Sequence, residues 1–371
     1  MEDSYMGNTY QNPVQRGFFP DPSVVRVGED YYMVNSTFQY FPAIAISHSK
    51  DMVHWHVIGH AVTDPDELDL QDIRDSHGIW APDISYHDGR FIIMATLRLN
   101  ADGKRGSTDM RRQHVVSSDK PEGPYSKPSW LEVDSIDPSH FVDDDGRHYM
   151  VISPGINLVP LSDDCTKVTG DTIPVWQGTG ERCPEGPHLL KRGKYYYAIL
   201  AEGGTGYGHG INVGRSENLF GPYEPSPYNP LMRQFDPDAP IQRTGHGKLI
   251  QTQNGDWWVY YLMGRPNQGH YTTIGRESGL DPVTWLADDW FVINDRKGPS
   301  TEQTAPDLPP HPFEKWARDD FDSDQLNVNW EFVRNPAKGS YSLTERPGYF
   351  RIWTRDGPLS EIRAKNTLVR R

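Results

Sequence analysis

The sequence GEDYY at residues 28–32 is a glycine turn followed directly by aromatic residues, and four later segments repeat this pattern. They are GRFI at 89–92, GRHY at 146–149, GKYY at 193–196 and GDWW at 255–258. A glycine turn that leads into an aromatic or β-branched run predicts a β-hairpin. The five glycines lie 61, 57, 47 and 62 residues apart, a regular spacing that suits sheets of about four strands arranged radially. The repeats therefore predict an all-β, five-bladed β-propeller.

Composition supports this fold class and excludes several functions. The 371 residues include 34 glycines and 31 prolines, which disfavours long helices, and 12% aromatic residues, which favours β-strands. No stretch approaches the roughly 18 apolar residues of a membrane span. The formal net charge of −14 opposes binding to nucleic acid or to an anionic membrane and favours a neutral ligand. The N-terminus lacks a secretory pattern, so a cytoplasmic protein is expected, although a mature secreted form would look the same.

The two cysteines, Cys165 and Cys183, cannot form a disulfide framework or a four-thiolate metal site. Both are expected to be reduced structural thiols.

A short polar or aromatic motif precedes each hairpin glycine by 7 to 9 residues. In a propeller, equivalent positions in the innermost strands meet at the channel mouth. Proline after an acidic residue disfavours helical backbone at that residue, which fits a strand entry where the side chain is held pointing at the axis. The residues expected to face one pocket are Asp21, Trp80, Asp137, Glu185 and His246.

Three carboxylates in one pocket point to acid–base chemistry. Like-charge repulsion and desolvation raise the pKa of at least one member, so an acid and a base can coexist near neutral pH. Cleavage of a glycosidic bond needs that combination, and Trp80, Phe38 or Tyr40 could stack on a sugar ring.

Two purely structural interpretations remain beside the catalytic one. A single Asp-Pro is usually a turn, and Asp236 and Asp238 fall outside the periodic positions, so they are expected to be turn residues. His246 is either a structural histidine or part of a metal or water network. No second His or Cys lies at ligand spacing from it, which argues against zinc at that position.

The motifs, in this order, resemble glycoside hydrolase family 43, in its two-domain β-xylosidase and α-L-arabinofuranosidase branch. The resemblance extends from residue 11 to about 297 and continues into RDDF at 318–321. The segments that carry it are FFPDPS at 18–23, NSTFQYFP at 35–42, GIWAP at 78–82, IDPS at 136–139, EGPH at 185–188, AEGGTG at 201–206, GHG at 245–247 and GRE at 275–277.

This resemblance implies an exo-acting, inverting hydrolase that releases terminal xylose or arabinose from oligosaccharides derived from hemicellulose. Asp21 corresponds to the general base and Glu185 to the general acid. Asp137 corresponds to the residue that orients the acid and tunes its pKa.

The resemblance also implies the remaining members of the site. Arg276 corresponds to the pocket arginine, and Phe38, Trp80 and Thr205 to substrate contacts. His246 corresponds to a central histidine that in many members lies beside a calcium or sodium ion. No cofactor is expected to be required, and the ion is expected to be structural.

Domain boundaries follow from composition. Residues 1–297 are expected to form the propeller, 298–312 a proline-rich linker, and 313–371 the N-terminal part of a β-sandwich. Because a β-sandwich needs roughly 100 residues, this last part is expected to be incomplete.

One departure and two alternatives stay open. Related xylosidases tend to have His after Trp-Ala-Pro, whereas Asp83 stands here, as in many arabinan-active members, so the preferred sugar is undecided. A non-catalytic sugar-binding propeller is one alternative. A retaining propeller hydrolase that acts on fructans is the other.

Overall fold

A computed structural model describes residues 5–6, 8–100, 111–314, 316–355, 357–362, 364 and 366–371. Apart from one 3₁₀ turn (Asn294–Arg296), the regular elements in these residues are β-strands. No helix within them is long and apolar enough to cross a membrane. The chain starts with β1 (Tyr5–Met6) and β2 (Thr9–Gln11).

Five antiparallel sheets follow, and they form the blades of the propeller. Blade 1 contains β3 (Ser23–Val27), β4 (Asp30–Asn35), β6 (Ala43–Ser49) and β7 (His56–Val62), while β5 (Tyr40–Phe41) lies outside this sheet. Blade 2 contains β8 (Gly78–His87), β9 (Arg90–Arg98), β10 (Arg111–Ser118) and β11 (Ser129–Leu131). Blade 3 contains β12 (Ser139–Val142), β13 (His148–Ile152), β14 (Ile156–Pro160) and β15 (Ile173–Trp176).

Blade 4 contains β16 (Glu185–Arg192), β17 (Tyr195–Glu202), β18 (Gly210–Ser216) and β19 (Glu224–Pro225), and β20 (Met232–Arg233) also pairs with β18. Blade 5 contains β21 (Gln242–Gln251), β22 (Trp257–Gly264), β23 (Glu277–Trp285) and β24 (Phe291–Ile293). The remaining strands are β25 (Glu302–Thr304), β26 (Glu331–Val333), β27 (Tyr341–Ser342), β28 (Arg351–Ile352) and β29 (Leu368–Val369).

The five predicted hairpins are confirmed, because each repeated glycine lies in the turn between the first two strands of its blade. All five glycines have positive φ, from 60° at Gly193 to 95° at Gly255. Glycine adopts this backbone without the strain that a Cβ atom would add. A Cβ at Gly28 would meet no atom within 4 Å, so the backbone angle, and not crowding, requires glycine there.

The first strand of each blade contacts the first strand of the next, in the closed order β3, β8, β12, β16, β21 and back to β3. The N-terminal segment supports the closure, because β2 pairs with β25 and Tyr10 Oη donates a hydrogen bond to the Leu280 carbonyl in blade 5. The ring brings the starts of five strands to one mouth, as the sequence predicts.

Apolar side chains fill the space between neighbouring blades. Five separate buried clusters lie at the five blade–blade interfaces. Their largest fully buried members include Tyr10, Tyr149, Tyr197, Tyr260 and Tyr261. The high aromatic content therefore serves the packing of blade against blade.

The C-terminal segment packs on the propeller near its mouth. β26 pairs with β29 on one side and with β5 on the other, where Phe332 lies opposite Phe41. The proposed linker, residues 298–312, contains β25, which is held against β2.

Candidate active site

The predicted residues meet in one cavity of about 790 Å³ at the mouth of the ring. Each one sits at or just before the first strand of its blade, or on the loop that follows a strand. The predicted members that line the cavity are Asp21, Phe38, Trp80, Asp137, Glu185, Thr205, His246 and Arg276.

Asp21 is held as a carboxylate by a cation and a hydroxyl. Arg276 Nη1 lies 2.8 Å from Asp21 Oδ1, and Ser36 Oγ donates a hydrogen bond of 2.5 Å to Oδ2. Burial acts to raise the pKa of Asp21, but Arg276, His246 and Ser36 outweigh it and lower the pKa below its ordinary value. Asp21 is therefore ionised at neutral pH.

The pKa values of Asp137 and Glu185 are raised, in contrast to that of Asp21. Burial raises the pKa of Glu185 to about 7, and the charge of Asp21 adds to this increase. Burial also raises the pKa of Asp137 to about 7. His246 acts to lower this pKa, and the charge of Glu185 acts to raise it. Asp137 is buried and Glu185 half-buried, and two such carboxyl groups that repel each other share one proton near neutral pH.

Neighbouring groups place that proton on Glu185. The Gly186 N–H donates a hydrogen bond of 3.0 Å to Asp137 Oδ2, which favours an ionised Asp137. His209 Nε2 lies 3.6 Å from Glu185 Oε1, and His209 Nδ1 lies 3.1 Å from the Arg243 carbonyl oxygen.

A carbonyl oxygen only accepts, so His209 carries its proton on Nδ1. Burial lowers the pKa of His209 to about 4, so the ring is neutral and Nε2 carries a lone pair. A lone pair facing Glu185 favours the protonated acid.

The backbone at the two Asp-Pro motifs is left-handed. Asp21 has φ of 52° and Asp137 has φ of 57°, so both avoid the right-handed helical region and both stand at a strand entry, as expected, but in left-handed backbone. Phe38 and His246 share this left-handed backbone, with φ of 51° at each. Non-glycine residues with positive φ are strained by roughly 1–3 kcal/mol and cluster at functional sites. Here the tertiary contacts of each side chain override the local preference.

Aromatic rings form one wall of the cavity. The Phe18 ring lies 5.6 Å from Phe38 and 5.7 Å from Tyr40, centroid to centroid. The Arg276 guanidinium lies over the Phe38 ring at 5.4 Å. Trp80 is fixed by a hydrogen bond from its indole N–H to the Ser76 carbonyl, at 2.9 Å.

Several residues of the site were missed from the sequence. Ser36 contacts Asp21 and His209 contacts Glu185, and Phe18, Arg182 and Arg243 line the cavity. Ser36 and Phe18 lie inside segments that carry the family resemblance. His209 and Arg243 lie outside the periodic motif, so nothing in the spacing indicates them.

The channel behind His246 does not fit a calcium ion. Calcium needs several oxygen ligands, and the oxygens there are taken by the Lys248 ammonium. Its Nζ contacts Asp83 Oδ1, donates to Ser23 Oγ at 2.9 Å and donates to the Ile84 carbonyl at 2.8 Å. An ion at this position would have to displace Lys248.

Asp83 belongs to this channel cluster and does not line the cavity. It is 1% exposed and also accepts the His140 backbone N–H at 2.9 Å. Its difference from the His of related xylosidases therefore concerns the channel and not a direct sugar contact.

Two smaller predictions have mixed outcomes. Asp236 and Asp238 are turn residues, as expected, since the Asp238 N–H donates to Asp236 Oδ1 at 3.0 Å. Both cysteines are free. Cys165 is buried, whereas Cys183 is exposed and lines the cavity, so burial supports a structural role for Cys165 alone.

Comparison with known proteins decides the family. The model of glycosyl hydrolases family 43 matches residues 10–291. The chain belongs to glycoside hydrolase family 43. A second model, the β-xylosidase C-terminal concanavalin A-like domain, matches residues 318–371.

Two curated family 43 enzymes are similar along most of the chain. A non-reducing end α-L-arabinofuranosidase of Bacteroides ovatus is 43% identical over 93% of this chain and 65% of its own length. A xylan 1,3-β-xylosidase of a Vibrio species is 40% identical over 94% of this chain and 69% of its own length. The chain thus spans about two thirds of the length of these relatives.

Solved structures agree with the fold. The family 43 protein BlXynB of Bacillus licheniformis is 63% identical, with a TM-score of 0.94, over 98% of this chain and 71% of that one. A xylan β-1,4-xylosidase of Bacillus halodurans is 41% identical, with a TM-score of 0.91, over 97% of this chain and 71% of that one. Neither the fructan-hydrolase alternative nor the sugar-binding alternative gains support from these relatives.

Proposed function

We propose that this family 43 protein is an exo-acting, inverting glycoside hydrolase that releases terminal xylose or arabinose. The observation that carries the proposal is the division of charge within one cavity. Asp21 is ionised beside Arg276, while Glu185 is half-buried and retains a proton near neutral pH. Hydrolysis with inversion needs one base and one acid in these states.

The reaction proceeds by a single displacement. Asp21 takes a proton from a water molecule as the water oxygen bonds to the anomeric carbon. The glycosidic C–O bond breaks on the opposite face, and Glu185 gives its proton to the leaving oxygen. Asp21 ends protonated and Glu185 ionised, and exchange with solvent restores both.

The neighbours of these carboxyl groups have positioning roles. Asp137 orients the acid, because the segment that carries Glu185 is tied to it through the Gly186 N–H. Arg276 serves Asp21 and offers further donors to sugar hydroxyls, since its guanidinium has a fixed fork geometry. The rings of Phe38 and Trp80 provide apolar surface for the C–H groups of a sugar.

The size of the pocket and the relatives suggest the substrate. Aromatic rings and Arg276 border a cavity of about 790 Å³ at the mouth of the ring, which has room for a terminal sugar together with part of the oligosaccharide that it ends. Relatives named as xylosidase and as arabinofuranosidase are similar to this chain at 40% and 43% identity. Both sugars are therefore proposed as substrates, and no cofactor is needed for the displacement.

Three assays test this proposal. Paired aryl β-D-xyloside and aryl α-L-arabinofuranoside should be hydrolysed, and proton NMR should show the inverted anomer first. Time courses on xylo-oligosaccharides and arabino-oligosaccharides should start with monosaccharide. Retention of configuration would overturn the single displacement, internal fragments as first products would overturn the exo mode, and activity on sucrose alone would overturn the substrate class.

A further inference from the structure

A second cluster of chemically active side chains lies in blade 3, outside the cavity. His140 is on β12, His148 begins β13, and Cys165 is in the turn that follows β14. His148 pairs with Val142, at the end of β12 that is remote from Asp137. None of the three residues lines the active-site cavity.

Three potential ligand atoms converge in this cluster. His140 Nε2 lies 2.9 Å from His148 Nδ1. Cys165 Sγ lies 3.5 Å from His140 Nε2 and 3.3 Å from His148 Nδ1. The three atoms form a small triangle of two nitrogens and one sulfur.

This triangle has the dimensions of one face of a tetrahedral metal site. With Zn–N of about 2.05 Å and Zn–S of about 2.3 Å, tetrahedral ligands lie roughly 3.3 Å apart for N–N and roughly 3.6 Å for N–S. The observed separations are within about 0.4 Å of these values. A shift of a few tenths of an ångström would therefore admit the ion.

The surroundings of His140 orient it as a ligand. Ser85 Oγ on β8 is hydrogen-bonded to His140 Nδ1 at 2.7 Å, which turns Nε2 towards the cluster. Histidines that bind metals typically use the other ring nitrogen in a hydrogen bond of this kind. The His140 backbone is fixed as well, through its N–H to Asp83.

Burial and charge suit a cation. Cys165 is fully buried among apolar residues between blades 2 and 3, and His148 is 6% exposed. His140 is only partly buried, so water can reach a fourth position. Asp88 and Asp163 act electrostatically on His148, and Asp164 and Arg90 act on Cys165. Asp83 and Lys248 act on His140 as well, so four acidic groups stand against two basic groups and the surroundings are negative.

We propose that His140, His148 and Cys165 bind a thiophilic divalent cation such as Zn²⁺, with water as the fourth ligand. A mixed Cys and His donor set suits zinc and disfavours calcium or magnesium, which prefer oxygen. The ion joins β12, the start of β13 and the turn at Cys165. It is a structural site of blade 3, and the hydrolytic chemistry does not depend on it.

Cobalt and zinc titrations test the site in the full chain. After treatment with a chelator and removal of that chelator, one equivalent of Co²⁺ should bind and give a thiolate-to-cobalt absorption band. One equivalent of Zn²⁺ should displace the cobalt, abolish the band and raise Tm by a few degrees. Cys165→Ser should lose the band, whereas Cys183→Ser should keep it, because the chain has only these two cysteines.

Ser85→Ala provides a milder variant if Cys165→Ser does not fold. It keeps all three ligands and should weaken Zn²⁺ binding about 10-fold or more, as loss of an outer hydrogen bond to a ligating His commonly does. Two results would overturn the proposal: the absence of a thiolate band in the wild-type protein with excess Co²⁺, or a band that persists in Cys165→Ser. Either result would leave the proposed hydrolase activity untouched.

Discussion

Two carboxyl groups at one site differ in protonation because their neighbours differ. Asp21 has the Arg276 guanidinium at 2.8 Å and the Ser36 hydroxyl at 2.5 Å. Glu185 has a neutral histidine nitrogen at 3.6 Å and the negative Asp21 nearby. One carboxyl group is thus stabilised as an anion and the other as an acid, which assigns base and acid before any substrate is bound.

Glu185→Ala should reveal the acid by its dependence on the leaving group. Aryl glycosides with activated phenols should lose little activity, because the phenolate departs without a proton, whereas unactivated xylobiose should lose roughly 10²–10⁴-fold. Initial rates on both substrates measure this difference. Asp21→Ala is the matched control and should lose activity on both alike, because each still needs an activated water. Equal losses for Glu185→Ala on both substrates would exclude it as the general acid.

The pH profile of kcat/KM should follow the two carboxyl groups. Activity needs Asp21 ionised and Glu185 protonated, so the basic limb should fall as pH rises through about 7. Arg276 lowers the pKa of both groups. Arg276→Gln should therefore move both limbs to higher pH.

Arg276→Lys is the control for this shift, because it retains the positive charge and loses only the forked geometry. It should raise KM while the limbs stay near their wild-type positions. Unmoved limbs in Arg276→Gln would contradict the assignment of the limbs to Asp21 and Glu185.

The sequence predicts the positions of the three carboxyl groups in the cavity better than those of their partners. Asp21, Asp137 and Glu185 occupy equivalent positions in repeats, and periodicity makes such positions converge. Ser36 and His209 contact the same carboxyl groups from positions that have no equivalent in the repeat. Their roles depend on how blades pack on each other, which no local pattern encodes.

At the scale of elements, a buried charged cluster joins four inner strands. Lys248 on β21 contacts Asp83 on β8 and Ser23 on β3. Asp83 also accepts the His140 N–H from β12. The hairpins that carry these strands were predictable from their glycine turns, whereas the cluster was not, because its members come from different blades.

Lys248→Met should destabilise the propeller by roughly 3–5 kcal/mol, because it leaves the buried Asp83 carboxylate without its cation. Denaturant unfolding of the purified variant measures the change. In the double variant Lys248→Met, Asp83→Asn the uncompensated charge is gone, so part of the loss should be recovered. A single variant as stable as the wild type would show that the pair is not coupled.

Calcium should leave the wild-type protein unchanged, since the Lys248 ammonium already occupies the oxygens of the channel. Addition of millimolar CaCl₂ should alter neither Tm nor kcat. An ion that bound only the folded state would raise Tm with its concentration. A rise of several degrees would mean that calcium displaces the lysine or binds elsewhere.

At the scale of the whole molecule, the C-terminal segment is part of the wall that supports the active site. Arg371 is buried, forms an ion pair of 2.9 Å with Glu331, and donates hydrogen bonds to the Phe18 and Ser36 carbonyls at 3.2 and 3.1 Å. Glu331 in turn lies 2.8 Å from His60 Nε2 in blade 1. The sequence predicts a separate module after a linker, because it contains no signal for contacts between positions more than 300 residues apart.

Arg371→Met tests this support. It leaves Glu331 buried without its arginine, so stability should fall by roughly 3–5 kcal/mol. Because Ser36 holds Asp21 and Phe18 lines the cavity, kcat/KM should fall as well, in the fraction that remains folded. Denaturant unfolding and kinetics at a temperature well below Tm separate the two effects.

Arg318→Met is the matched control for this prediction. Arg318 also pairs with a carboxylate, Asp320, but both side chains are largely exposed, and exposed ion pairs contribute only about 0–1 kcal/mol. This variant should therefore behave as the wild type in both measurements. If Arg371→Met also left stability and kcat/KM unchanged, the C-terminal segment would lie beside the propeller without supporting the active site. If only Arg371→Met loses stability and activity, the wall that positions Asp21 extends beyond the five blades.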